Sequence, residues 1–231
     1  MVTGSHPGQQ AHGSLTETFE KPNLTSKKKG KRQMKRLILT LSALALLIAP
    51  SGAMATNWNI DPDHSAAHFK VRHMMIADVR GSFPDVQGVV VINDRDITRS
   101  TIDVTIKAAS IHTGVEKRDA HLKSADFFEV ETYPTLTFKS KHVQKVSDNS
   151  LRVVGDLTLH GVTKEVELLV DGPSGEVKDP WGNLRKGARA ATQINRKDFG
   201  IIWNATLDNG GLMIGDDVEI IIDLEFIKQA N

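Results

Sequence analysis

The feature that most constrains the fold is an alternation of apolar and polar residues that recurs along most of the chain. It is clearest near the C-terminus, where the apolar residues from Val218 to Phe226 share one parity and most acidic residues share the other. Successive side chains of a β-strand point to opposite faces, so this pattern predicts strands with one buried face. We expect about eight strands, near residues 64–74, 79–92, 101–107, 135–146, 151–160, 162–171, 187–196 and 217–226.

Turn sequences such as Asn93-Asp94 and His160-Gly161 separate these segments, which predicts antiparallel neighbours joined mostly by short turns. An all-β chain of this kind forms either a two-sheet sandwich or a closed barrel. Strands alternate faces in both architectures, so the periodicity alone leaves the choice open.

One segment departs from the alternation. The stretch from Thr113 to Glu116 has the spacing of a helix capping box, and good helix formers continue to Ser124. We therefore expect one short helix there, with a second turn or short helix near residues 198–200.

The N-terminal quarter of the chain has a different composition. Residues 34–55 show the layout of a secretory signal peptide, with Lys35-Arg36, an apolar run from Leu37 to Ile48 and a final Ala-Met-Ala before the predicted cleavage site. An uncleaved membrane anchor is the alternative, but the apolar run is shorter than the roughly 20 residues that cross a bilayer as a helix. The sequence thus predicts a disordered or untranslated extension at 1–33, a cleavable signal at 34–55 and a periplasmic domain at 56–231.

Charge and cysteine content exclude several classes of function. Residues 56–231 contain 21 Lys or Arg and 26 Asp or Glu, which argues against nucleic acid as the partner. The chain has no cysteine, so it cannot form a disulfide, a thiolate metal site or a Cys nucleophile. The G-x-S-x-G, P-loop and G-x-G-x-x-G motifs are also missing, and no cofactor is expected.

Five motifs occur in a characteristic order along the domain: WNIDPDHS at 58–65, HLKSADFF at 121–128, GDLTLHGVT at 155–163, RKDFG at 196–200 and GDDV at 215–218. Together they resemble the YceI-like family of bacterial secreted proteins, and the resemblance covers residues 57–228. It implies an eight-stranded antiparallel, lipocalin-like β-barrel that encloses an apolar tunnel for a long-chain lipid. Members are described as polyisoprenoid-binding, some hold fatty-acyl derivatives instead, and they are not known as enzymes.

The parity of the strands suggests which residues would meet such a lipid. Nine residues on the strands are expected to point inward, and three on the less regular segments to line an end or a lid. The nine are Phe69, Val71, Val104, Ile106, Phe138, Leu157, Leu159, Ile220 and Ile222, and the three are Phe127, Phe128 and Trp203. Each of them could equally be plain core, because alternating aliphatic residues usually are. A barrel filled by its own side chains, in a structural protein, therefore stays open as a third interpretation.

The histidines of the domain suggest an alternative function. Seven histidines lie in the domain, and histidine is a common metal ligand and general base. His64 and His68 are four apart, but four residues of a strand span about 13 Å, which is too far for one ion. A metal-dependent or histidine-based enzyme using the same cavity is thus the alternative function, whereas His64 is expected to form local hydrogen bonds in its turn. A homodimer is possible on the sequence but nothing in it requires one.

Overall fold

A computed structural model describes residues 55–208 and 210–229 of the chain. The described residues form eleven β-strands and one α-helix, α1, at Glu116–Lys123. The strands are β1 Ala55–Ile60, β2 Ala66–His73, β3 Ala77–Phe83, β4 Val86–Asn93, β5 Thr101–Lys107, β6 Thr135–Lys145, β7 Ser150–Leu159, β8 Val162–Asp171, β9 Val177–Lys178, β10 Leu184–Asn195 and β11 Ile214–Lys228.

Strand pairing closes the sheet on itself. The hydrogen-bonded order runs β11-β1-β4-β5-β6-β7-β8-β10, and β10 pairs in turn with β11. All of these pairs are antiparallel. The prediction of an eight-stranded antiparallel barrel is therefore confirmed, and the sandwich is excluded because a sandwich leaves two separate sheets.

The β2–β3 hairpin lengthens one side of this barrel. β2 pairs with β11 from His73 opposite Ile214 to Ala66 opposite Asp223, whereas β1 pairs with the far end of β11. β3 pairs with β2 and also forms a bridge from Ser82 to His112, just before α1. The helix thus lies beside the hairpin, at the same end of the barrel.

The structure corrects the predicted strands at the start of the domain: β1 at Ala55–Ile60 was not predicted, although it is one of the eight barrel strands, and two predicted segments are divided or shortened. The segment predicted at 79–92 is two strands, because Pro84 lacks a backbone N–H and interrupts the ladder. The segment predicted to begin at residue 64 begins at Ala66, because Pro62–His64 form a 3-10 turn. Asp61 accepts a hydrogen bond from the Asp63 N–H at 3.1 Å and so favours the turn over an extended strand.

The predicted helix is present, but Thr113 does not cap it. The helix begins at Glu116, and Val115 occupies the cap position without a side-chain hydrogen bond. Thr113 instead donates its N–H to Asp119 at 2.9 Å and its hydroxyl to the same carboxylate oxygen. The expected second short helix is also found, as a 3-10 turn at Arg196–Phe199 that ends at Gly200 with a φ of 78°.

The predicted extension at 1–33 and signal peptide at 34–55 lie outside the described residues, except that Ala55 begins β1. Among the residues that are described, no helix has both the length and the apolar character needed to cross a membrane.

Candidate ligand-binding cavity

The interior of the barrel holds a cavity of about 540 Å³, within the range of small-molecule binding sites. All twelve residues that the sequence suggested for ligand contact line it: Phe69, Val71, Val104, Ile106, Phe127, Phe128, Phe138, Leu157, Leu159, Trp203, Ile220 and Ile222. Whether they touch a ligand stays a prediction, but the parity argument placed the nine strand residues on the inner face of the wall.

The cavity is long relative to its width. β11 alone lines it from Ile214 to Phe226, a span of about 40 Å along the strand. Barrel strands tilt by about 40° from the axis, so this corresponds to roughly 30 Å of barrel height. The space is therefore suited to an extended, flexible molecule.

The cavity runs between two ends of the barrel that differ in structure. The Met75 end consists of the β2–β3 turn at 74–76, helix α1, the β7–β8 turn and the loop before β11. The Trp58 end consists of β1, the β4–β5 connection, the β6–β7 turn and the segment at 172–183. These two names are used below.

Aromatic side chains line the Met75 end. Phe83 lies between Phe69 and Phe128, with ring centroids 5.8 and 5.3 Å away. Phe127 and Trp203 are 5.3 Å apart, and the His121 ring meets both of them edge-on at 5.0 and 4.9 Å. Of the three residues expected on a lid or end, Phe127 and Trp203 pack against each other, and Phe128 packs against Phe83.

Two glycines make room for aromatic rings inside the barrel. A Cβ at Gly81 would lie 2.4 Å from Cζ of Phe69, and a Cβ at Gly155 would lie 2.5 Å from Cζ of Phe138. Gly81 lies directly opposite Phe69 on the neighbouring strand, and Gly155 lies diagonal to Phe138. Any side chain at these positions would push a phenylalanine further into the cavity.

A buried arginine ties the loop before β11 to the wall. Arg196 is 4% exposed and donates to the carbonyl oxygens of Gly215 at 2.9 Å, Ile201 at 2.7 Å and Trp203 at 2.8 Å. It also donates to Asp216 at 3.3 Å. Burial lowers the pKa of its guanidinium, and the Asp216 carboxylate opposes that effect. These bonds fix Trp203 against the cavity.

The polar part of the lining is basic. It includes Arg72, Lys117, Arg118 and the buried Arg196, together with the histidines His68, His73 and His121, but no Asp or Glu. Most of these residues belong to the Met75 end. The cavity therefore has an apolar wall and a cationic end.

The histidines do not assemble a metal site in the cavity. Within residues 55–208 and 210–229, the one group of three potential metal ligands is Asp61, His64 and Glu225. It lies at the Trp58 end, and none of its members lines the cavity. The other six histidines of the domain belong to no such group.

Arg185 occupies the position that a cation would need in that group. Its Nη1 lies 2.5 Å from both Asp61 Oδ2 and Glu225 Oε1, and its Nε lies 2.8 Å from Asp179 Oδ2. Burial alone would raise the pKa of Asp61, but hydrogen bonds from Arg185 and His64 outweigh it and hold the pKa below its usual value. The His64 ring lies 2.7 Å from Asp61, the expected local bond, and this carboxylate raises the pKa of His64. The cluster is an ion network centred on arginine.

A buried indole lies at the Trp58 end. Trp58 has no solvent exposure, and the Nζ atoms of Lys186 and Lys228 lie 5.4 and 5.6 Å from its ring centroid. A cation over the face of an indole ring is favourable, and the lysine stems cover its apolar surface.

The fold and the cavity together define the class: a closed antiparallel β-barrel built around a long apolar cavity, an architecture that can enclose one small molecule. The chain matches the family model described as a YceI-like domain over residues 58–226, and it belongs to that family. A UPF0312 protein from Photorhabdus laumondii is 36% identical over 198 residues, covering 85% of this chain and 99% of that protein. A protein named YceI from Escherichia coli is 35% identical and aligns over its whole length with 85% of this chain.

Solved structures show the same fold. The YceI protein of Campylobacter jejuni has 30% identity and a TM-score of 0.59, covering 67% of this chain and 88% of that one. The BcnA protein of Burkholderia cenocepacia has 21% identity and a TM-score of 0.61, covering 72% of this chain and 98% of that one. A polyisoprenoid-binding domain from Saccharophagus degradans has 17% identity and a TM-score of 0.55, covering 76% of this chain and all of that one.

Sequence reasoning missed the charged residues of the Met75 end. Arg72, Lys117, Arg118 and Arg196 line the cavity, yet none was a candidate. Their position depends on how α1 and the last loop fold against the barrel, which alternation does not encode. The signal that could have found Gly81 and Gly155, which make room for cavity-lining rings, is their placement inside strands, where glycine often marks a close approach.

Proposed function

We propose that this protein is a non-catalytic, periplasmic lipid-binding protein that holds a long-chain polyisoprenoid or related amphiphile in the barrel. The observation that carries the proposal is the long apolar cavity, whose lining includes no Asp or Glu. Each CH₂ group that moves from water into such a space contributes about 0.8 kcal/mol. Ten of them contribute about 8 kcal/mol, which corresponds to micromolar binding before ordering costs.

The comparisons support the same ligand class. The domain from Saccharophagus degradans is described as polyisoprenoid-binding, and its fold is that of this chain. A polyisoprenoid is long, flexible and apolar, which fits a cavity that extends along most of β11. The predicted signal at 34–55 would deliver the protein to the periplasm, where a water-insoluble chain needs a carrier to cross between membranes.

No observation favours the alternative, a metal-dependent or histidine-based enzyme in the same cavity. The described cluster of potential metal ligands, Asp61, His64 and Glu225, does not line the cavity. His68, His73 and His121 do line it, but they belong to no such cluster among the described residues. Lipid binding without catalysis requires only the apolar wall of the cavity and the basic side chains at its Met75 end.

The first test is the identity of whatever the cavity holds. An organic extract of the purified protein, analysed by mass spectrometry, should contain a long-chain lipid in near-stoichiometric amount. An empty extract combined with stoichiometric zinc or copper by metal analysis would overturn the proposal in favour of the enzyme.

The second test fills the cavity. Val104 and Leu157 both lie opposite Phe138 in the strand register and line the cavity, so Val104→Trp and Leu157→Trp should remove the bound lipid. Leu169→Trp is the matched control, because Leu169 is 54% exposed and is not part of the lining. Circular dichroism checks that each variant is folded, since overpacking costs roughly 1–3 kcal/mol. Unchanged lipid content in folded Val104→Trp and Leu157→Trp would mean that the lipid binds elsewhere.

A further inference from the structure

The β2–β3 turn exposes three consecutive apolar residues. Met74, Met75 and Ile76 are 38%, 56% and 76% exposed. Neighbouring apolar groups extend this surface: Met74 donates its N–H to Met213 at 2.7 Å, next to Leu212, which is 38% exposed. Val115, at the start of α1, is 46% exposed and also lines the cavity. Apolar groups grouped in this way usually mark an interaction surface.

The turn holds these residues in an unfavourable backbone conformation. Met74 and Met75 have φ values of 49° and 61°, and the Ile76 N–H donates to His73 at 3.1 Å, which is the geometry of a tight hairpin turn with two left-handed residues. Such turns favour Asn-Gly, because a long side chain is strained in this region. The β7–β8 turn adopts the same left-handed pair with His160 and Gly161, and so keeps a glycine at its second position. Local stability therefore does not explain two methionines in the β2–β3 turn.

The surroundings of the turn are cationic. Within residues 66–83, Arg72 and Arg80 share one acidic partner, Asp78, whereas Lys70 pairs with Glu219 at 2.6 Å. Arg72 and Arg80 lie 3.1 and 3.8 Å from Asp78, so their charges exceed what it can neutralise. On α1, no ion pair joins Lys117 or Arg118 to a carboxylate within the described part of the chain. Arg72, Arg80 and Lys117 thus supply basic groups near the exposed apolar turn.

The cavity reaches the same place. Its exposed lining residues include Arg72, Val115 and Lys117, and its lining continues to Met213 beside the turn. The Trp58 end is instead covered by Lys186 and Lys228 over the buried indole. A lipid that enters or leaves at the Met75 end would pass close to the exposed turn.

We propose that the Met75 end is a membrane-docking surface, on which the β2–β3 turn inserts into the interface of a bilayer that contains anionic phospholipid. Met74, Met75 and Ile76 enter the boundary between head groups and acyl chains, while Arg72, Arg80 and Lys117 lie against the phosphates. Apolar insertion and electrostatic attraction to anionic lipid act together in this mode of binding. Docking here would let a lipid move between bilayer and cavity with little exposure to water. This role of the surface rests on the proposed function.

The test compares vesicle binding of the purified protein with that of a variant whose turn is relaxed. Met74→Asn combined with Met75→Gly removes two inserted side chains and supplies the residues that the turn favours, so the fold is retained. Cosedimentation with vesicles of phosphatidylethanolamine and phosphatidylglycerol should show binding that weakens as salt rises, and the double variant should bind roughly tenfold less tightly. Val146→Ser is the matched control, because Val146 is 56% exposed in the β6–β7 turn at the other end and its loss should change nothing.

Three outcomes would overturn the docking proposal. They are equal binding by the double variant and the unchanged protein, binding that is the same without phosphatidylglycerol, and a dimer that the double variant dissociates while neither protein binds vesicles. Extraction of lipid from the same preparations separates the two proposals. Lipid in the cavity without turn-dependent vesicle binding removes only the docking surface, whereas turn-dependent vesicle binding with an empty cavity removes only the proposed function.

Discussion

Each end of the barrel contains an arginine with several hydrogen-bond partners, but the partners differ between the two ends. At the Trp58 end, Arg185 lies among three carboxylates, those of Asp61, Asp179 and Glu225. At the Met75 end, Arg196 binds mainly backbone carbonyls and thereby fixes the loop that carries Trp203. Arg185 offsets the charge of these carboxylates and holds the Trp58 end together. The other arginine shapes an end where side chains stay exposed and basic.

Under the proposed function, this contrast assigns stability and ligand access to opposite ends of the barrel. The Trp58 end has a buried indole covered by two lysines and a dense ion network. The Met75 end has a strained turn, exposed apolar residues and a cationic lining. Substitutions at the first end should therefore act on stability, and substitutions at the second should act mainly on binding.

The largest effect is expected at Arg185. Replacing it with methionine leaves Asp61 and Asp179, whose side chains are 7% and 6% exposed, without their cation. Breaking a buried ion pair from one side costs about 3 kcal/mol, which should appear as a lower free energy of unfolding in urea. Arg189→Met is the control, because its contact with Asp223 is 3.8 Å long and half-exposed, so its loss should be barely measurable. Similar losses in both variants would show that the network does not hold the Trp58 end.

A smaller effect is expected where the cavity wall is tightest. The added Cβ in Gly81→Ala would lie 2.4 Å from Phe69 and 2.8 Å from Thr113, so the ring must move into the cavity. We expect a loss of about 2 kcal/mol in the free energy of unfolding and a lower content of co-purified lipid. Gly175→Ala serves as the comparison at the other end, because no atom lies within 4 Å of its new Cβ. Equal effects of the two substitutions would contradict the packing argument.

Relaxing the β2–β3 turn should raise the free energy of unfolding instead of lowering it. Met74→Asn with Met75→Gly removes the left-handed strain of two methionines and should raise the free energy of unfolding by about 1 kcal/mol. Ile76→Ser leaves the turn conformation as it is and should leave stability nearly unchanged, since Ile76 is 76% exposed. A destabilised double variant would show that the methionines pack in the fold, and the contrast between the two ends would then be lost.

The smallest effect is on pH dependence. Asp61 and Asp179 both have a pKa below the ordinary 3.8, for although burial opposes ionisation, hydrogen bonds from Arg185 and neighbouring groups outweigh it. The contribution of these two carboxylates to the free energy of unfolding is complete above pH 3.8 and is lost as pH falls through their lowered pKa values. His64 acts in the opposite direction. Because its pKa is raised, its contribution to stability is complete below pH 6.5 and is lost as pH rises past the raised pKa.

Urea unfolding at a series of pH values measures this linkage. The unchanged protein should lose stability in the acid range below pH 3.8, and Arg185→Met should show a shallower loss because its carboxylates titrate closer to their unfolded values. Parallel curves for the two proteins would mean that other groups govern acid unfolding.

The alternation of residues was sufficient to predict most of the strands and their inward faces, but it missed β1 at the start of the domain. Phe69 and Val71 on β2, or Ile220 and Ile222 on β11, line the cavity as their parity predicts. The breaks were harder to place, because Pro84 and the Pro62 turn interrupt segments whose apolar spacing continues across them. The capping role of Thr113 was wrong, because Asp119, six residues on, accepts the Thr113 N–H that a capping box would give to Glu116, and it accepts the Thr113 hydroxyl as well.

The sequence by itself determined an all-β domain, the side of each strand that is buried, and the absence of cysteine chemistry. These follow from local rules, since a strand reverses its face at every residue. Only the tertiary structure decided that β10 closes onto β11, that the enclosed space stays open along the axis, and that Arg185 rather than a metal lies beside Asp61 and Glu225. Those features depend on residues far apart in the chain, as in the pair Asp61 and Arg185, and no period in the sequence records which distant side chains meet.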